Sequence, residues 1–105
     1  MVKKKIKIFI SQPMKHKTNE EIEAERNEIK KKLDEKYGEG NYEIIDSFIT
    51  GGVPNDAKPL WFLGKSLEFL STADAAIFAK DWDKARGCII EHIACENYEI
   101  PIWEM

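Results

Sequence analysis

Apolar positions along the chain switch between two rhythms, and each switch marks an element. Lys5-Ile6-Lys7-Ile8-Phe9-Ile10-Ser11 alternates and then becomes continuously apolar, as a strand running into a buried sheet does. Ser11-Gln12-Pro13-Met14 breaks that run. Thr18-Asn19-Glu20-Glu21 reads as a capping box, hydroxyl and carboxylate each satisfying an orphan amide of a helix start. The helix is expected from residue 19 to Lys36, ending at Gly38, with Ile22, Ile29 and Leu33 on its apolar face. Its charged remainder reads as a solvated face carrying one Glu28–Lys32 pair.

Tyr42 to Phe48 reads as a second strand, followed by a patternless loop over residues 49–58 with Gly51, Gly52, Pro54, Asn55 and Asp56. Pro59 suits the first turn of a second helix, whose Leu60, Leu63, Leu67 and Leu70 form one stripe. Trp61, Phe62 and Phe69 lie off that stripe, so this helix is apolar on more than one face and is expected to meet a partner chain. Ala73 to Ala79 is a third strand, Lys80 to Lys84 a loop, Arg86 to about Tyr98 a third helix, and Ile100 to Trp103 a short fourth strand. The order β-α-β-α-β-α-β implies a four-stranded parallel sheet with right-handed crossovers and helices on both faces. That is a small α/β three-layer fold of the flavodoxin-like or Rossmann-like kind. In such folds ligands bind beyond the carboxyl ends of the strands, so residues 11–17 and 80–86 are where chemistry is expected.

Length and charge narrow the classes. At 105 residues the chain makes one domain, residues 1–105. Its 16 basic and 19 acidic residues leave a net charge of −3, which disfavours a general nucleic-acid binder. The Met1-Val2-Lys3-Lys4-Lys5 head is followed only by Ile6 to Ile10, interrupted by Lys7, too short for a signal peptide. No segment approaches the ~20 apolar residues of a membrane span. Cys88 and Cys95 fall seven apart on one helix, a rise of about 10.5 Å, beyond disulfide reach. Reduced thiols point to a cytoplasmic protein.

Several motifs fail on inspection. Gly64-Lys65-Ser66 imitates the end of a phosphate-binding loop, but Pro59 stands where the motif needs Gly and the tripeptide lies inside a helix. Neither a dinucleotide fingerprint nor a zinc-ligand pattern occurs. His16 and His92 lack a nucleophile at suggestive spacing and read as surface or packing residues. Lys15-His16-Lys17 precedes a helix start and reads equally as an anion site or a solvated basic turn.

The third helix carries the strongest signal. Gly87 and Glu91 are i and i+4, so Glu91 leans over the space Gly87 leaves empty. A helical Gly costs roughly 1 kcal/mol against Ala, which invites a reason: close approach of a ligand, or close packing against a strand. The positive end of the helix dipole and nearby Arg86 are expected to keep Glu91 ionised, as a carboxylate nucleophile requires.

Ser11-Gln12-Pro13-Met14, Ala73-Asp74 and Ala85-Arg86-Gly87-Cys88-Ile89-Ile90-Glu91-His92 together resemble the nucleoside 2-deoxyribosyltransferase-like superfamily. Over nearly its whole length the chain resembles a small branch of it known only as a domain of unknown function. Likeness to the characterised transferases is confined to the three motifs, of which the Gly-x-x-x-Glu block is the specific one. The resemblance implies a retaining double displacement on a deoxynucleoside or deoxynucleoside monophosphate, with Glu91 attacking the anomeric carbon and no metal or cofactor. It implies a pocket of Ser11, Gln12, Pro13, Met14, Lys15, Trp82, Arg86 and Gly87, with Lys15 and Lys17 toward a phosphate. Trp82 would stack on the base and Met14 form the opposite wall, although both also read as packing residues. Ala85 stands where transferases carry a polar group, so Asp81 or Asp83 is expected to supply it, and Lys65 and Ser66 replace an acidic residue on the second helix. Relatives are oligomers that share pocket residues, which implies a homo-oligomer built through Trp61 and Phe62. A non-catalytic nucleotide-binding module on the same fold is the alternative.

Overall fold

The computed structural model describes residues 4–46 and 51–105. Strands and helices alternate as β1 (Ile6–Ser11), α1 (Asn19–Tyr37), β2 (Tyr42–Ile44), α2 (Pro59–Leu70), β3 (Ala75–Phe78), α3 (Arg86–Asn97) and β4 (Ile102–Glu104). All three strand pairings are parallel and the sheet order is β2-β1-β3-β4. The expected α/β fold is therefore present. The order reverses between β1 and β3, the switch point at which doubly wound sheets open a crevice beyond their carboxyl ends. Among the described residues, no helix is long and apolar enough to cross a membrane.

Alternation along the strands divides the interior in two. Ile8, Ile10, Ala75, Ile77 and Ala79 face α1, where Ile29 and Leu33 are fully buried. Phe9, Ala76 and Phe78 face the other way, packing with Leu70 of α2 and Cys95 of α3. The capping box of α1 forms: the Glu21 amide donates to Thr18 Oγ1 at 3.1 Å, and the Thr18 amide to Glu21 Oε1 at 3.5 Å. Gly38, at φ 88°, donates its amide to the Asp34 carbonyl and stops the helix, because a side chain there would be strained.

Four local readings are corrected. Glu28 pairs with Lys31 rather than Lys32, whose Nζ donates to the Glu104 carbonyl at 2.9 Å. The second strand ends at Ile44; Ser47 and Phe48, included in the expected strand, lie outside the described residues. The last strand begins at Ile102, because Ile100 donates its amide to the Cys95 carbonyl and so closes the turn that follows α3. The leucine stripe of α2 is not uniformly inward: Leu60 is 73% exposed while Leu70 is buried, and Phe69, expected off the stripe, packs on the core. Only the last turns of α2 lie on the sheet, so its first turn keeps apolar side chains in solvent.

Candidate active site

Ser11 is the last residue of β1, and its alternation directs it toward the α3 side. There its hydroxyl donates to Glu91 Oε1 at 2.7 Å, with both residues buried. Glu91 reaches it from the inward stripe of α3, which is Cys88, Glu91 and Cys95. Burial pushes the Glu91 carboxyl up to about 7, and the Ser11 hydrogen bond only partly opposes it. The expected ionisation is thus corrected: desolvation outweighs the helix terminus, and Arg86 is exposed and makes no ion pair among the described residues. Near neutral pH the carboxyl is divided between its two forms. Cys88 belongs to the same cluster; burial raises its thiol, while a hydrogen bond with Ser11 lowers it. Both cysteines are free, as expected, and the structure buries them.

The next residue points the other way. Gln12 lies against α1, its amide nitrogen donating to the Ile22 carbonyl at 3.0 Å and to Glu25 Oε1 at 2.9 Å. Its carbonyl oxygen accepts from Arg26 Nε at 3.0 Å. Glu25 also holds Lys17 at 3.1 Å. Gln12 and Lys17, expected on the substrate, are therefore committed to tying the loop after β1 to α1. Nothing local in the sequence marks Glu25 and Arg26 as the two that turn toward the loop, because the helix is rich in charge throughout.

The loop itself leaves some candidates free. Pro13 is half-buried, Met14 is 52% exposed and Lys15 is exposed. The Lys17 amide donates to the Met14 carbonyl, and His16 takes φ 65° within that turn. Of the basic tripeptide, Lys15 makes no ion pair among the described residues.

The loop after β3 differs more from expectation. Trp82 stacks on His92, ring centroids 4.0 Å apart and planes 3° from parallel, and meets Phe78 edge-on. That ring face belongs to the protein, so Trp82 serves packing there. Asp81, at φ 67°, pairs with Lys84 at 3.4 Å, and Asp83 is exposed. Glu91 takes its hydrogen bond from Ser11, not from either aspartate. Asp74 lies at the opposite end of β3, where it accepts the Lys7 amide and donates its own to the Lys7 carbonyl, both at 2.8 Å. Its role is to fix the start of β3 against β1. Lys65, in the position where transferases are acidic, pairs with Glu68 at 3.2 Å.

A groove of about 360 Å³ opens between the first turns of α2 and α3. Lys58, Pro59, Leu60, Leu63, Arg86, Gly87 and Ile90 line it. This is within the size range of small-molecule sites. A Cβ added at Gly87 would meet only Leu63 Cδ1, at 3.8 Å, an ordinary contact. Packing against a strand does not require glycine there, and the residue faces the groove instead. Among the described residues no group of His, Cys, Asp and Glu is arranged to hold a metal ion. Set against known proteins, the chain matches no family model, no curated protein and no solved structure.

Proposed function

We propose that the protein cleaves or exchanges the N-glycosidic bond of deoxynucleosides or deoxynucleoside monophosphates, with Glu91 as nucleophile. The observation that carries this reading is the buried Glu91 carboxyl, held by Ser11 at the switch point of the sheet and one helical turn beyond a glycine that borders a groove. In the proposed step a Glu91 carboxylate oxygen bonds to the anomeric carbon. The carbon–nitrogen bond breaks with its electron pair leaving on the base, which takes up a proton. Water or a second base then displaces the glycosyl ester, so configuration is retained. Ser11 keeps the carboxyl aimed and partly ionised. Arg86 and Lys58 line the groove as cations, which suits a phosphorylated substrate.

One observation favours the second reading, a nucleotide-binding module without turnover. Among the described residues, Glu91 has no carboxylate neighbour in hydrogen-bond contact to protonate a leaving base. Incubation with deoxynucleosides and their monophosphates, with and without an acceptor base, decides between them. Free base or a new nucleoside from the parent but not from Glu91→Gln supports catalysis. Calorimetric binding without any released base supports the module, and neither result removes both.

We further propose a homo-oligomer through α2. Leu60 is 73% and Phe62 42% exposed, and Trp61 meets Phe62 edge-to-face at 5.1 Å. A monomeric sedimentation mass would refute it. Two unpaired buried thiols suit a cytoplasmic setting.

A further inference from the structure

The inward stripe of α3 consists of Cys88, Glu91 and Cys95, two small thiols and a carboxyl, with no large aliphatic side chain to set the helix on the sheet. The residue after Glu91 supplies what the stripe lacks. His92 is stacked on Trp82, lies edge-on to Phe78 with centroids 4.8 Å apart, and has a carboxylate at each ring nitrogen. Nδ1 is 2.7 Å from Glu96 Oε1 and Nε2 is 3.0 Å from Glu104 Oε2. One imidazole thus joins α3 to β3, to β4 and to the turn at Trp82.

The sheet register makes this more than local packing. Ser11 of β1 pairs with Phe78 of β3, and Phe78 pairs with Glu104 of β4, so the three form one row across the sheet. Glu91 binds the first member of that row, and His92 contacts the second and third. Consecutive helical residues are about 100° apart around the axis, so a rotation or slide of α3 that frees His92 also draws Glu91 away from Ser11. We propose that His92 is a positioning residue, fixing the rotation and height of α3 on the sheet and thereby holding Glu91 against Ser11.

The test is the titration of the Glu91 carboxyl carbon in the full chain, followed by NMR and assigned by its loss in Glu91→Gln. In His92→Ala the midpoint should fall from about 7 toward the ordinary glutamate range, by roughly one pH unit or more, because a displaced carboxyl regains water. His92→Gln, whose amide can still reach Glu104, should recover part of that fall. A folded His92→Ala with a lower melting temperature and an unmoved Glu91 midpoint would overturn the proposal, leaving His92 a packing residue only. Should His92→Ala not fold, Glu104→Ala removes one exposed acceptor of the imidazole alone; a smaller shift in the same direction supports the proposal, and no shift overturns it. The readout needs no turnover, so it is independent of whether the protein acts on glycosidic bonds.

Discussion

Ser11 and Glu91 are 80 residues apart in the chain and 2.7 Å apart in the fold. One ends the first strand and the other sits midway along the inward face of the last helix, so the pair exists only when the sheet is complete. A carboxyl placed there loses its water and gains one hydroxyl, and its proton affinity rises.

That rise makes stability depend on pH. The folded chain holds the Glu91 proton more tightly than the unfolded chain, whose glutamate titrates near its ordinary value. The associated stabilisation is complete at lower pH, lost as pH rises from about 4.5 to about 7, and gone above. The loss should be about 3 kcal/mol. Urea midpoints measured at pH 5 and pH 8 should therefore differ more in the parent than in Glu91→Gln. Equal differences would contradict the burial of an ionisable group here.

Ser11→Ala deletes the only hydrogen-bond donor to the Glu91 side chain among the described residues. The Glu91 midpoint should move further above about 7, since the group that opposed burial is gone. Stability should fall by about 1–3 kcal/mol at pH 8, and by less at pH 5, where the carboxyl is protonated. Carboxyl titration together with denaturant unfolding measures both effects. A midpoint that falls would mean that water replaces the hydroxyl.

Gly87→Ala separates the two reasons for a glycine. The added methyl has room, and alanine favours the helix, so the melting temperature should rise, corresponding to about 0.5–1 kcal/mol. If the groove holds substrate, nucleotide affinity should fall in the same variant. Thermal melts and calorimetry on one preparation give both answers; a destabilised variant would mean that α2 and α3 pack more tightly at this point.

Gln12→Ala removes three hydrogen bonds between the loop after β1 and α1. The expected cost is about 1–3 kcal/mol, with faster amide exchange across Ile22 to Arg26 and little change at Glu91, which lies on the other face of the sheet. Hydrogen exchange resolves the two regions. Equal loosening at α3 would show that the faces are coupled through the strand.

Much of this molecule is local in origin and was legible before folding. The strand rhythm of Ile6 to Ser11, the Thr18–Glu21 box, the stop at Gly38 and the start at Pro59 depend on neighbours within a few residues, so pattern alone marks α1, α2 and the parallel order. The candidate residues Ser11, Glu91 and Gly87 were legible as types at one end of the sheet. Their states were not. Glu91 lies near a helix start, which by itself favours the charged form, and only its enclosure by β1 and the rest of α3 reverses that preference. Trp82 and His92 are ten positions apart with nothing between them to announce a stack, and Lys17 and Gln12 converge on Glu25 only where the loop after β1 lies on α1. Periodicity and caps are short-range and survive in the sequence. Desolvation and pairing across elements depend on what the completed sheet brings near, and the tertiary structure alone decides them.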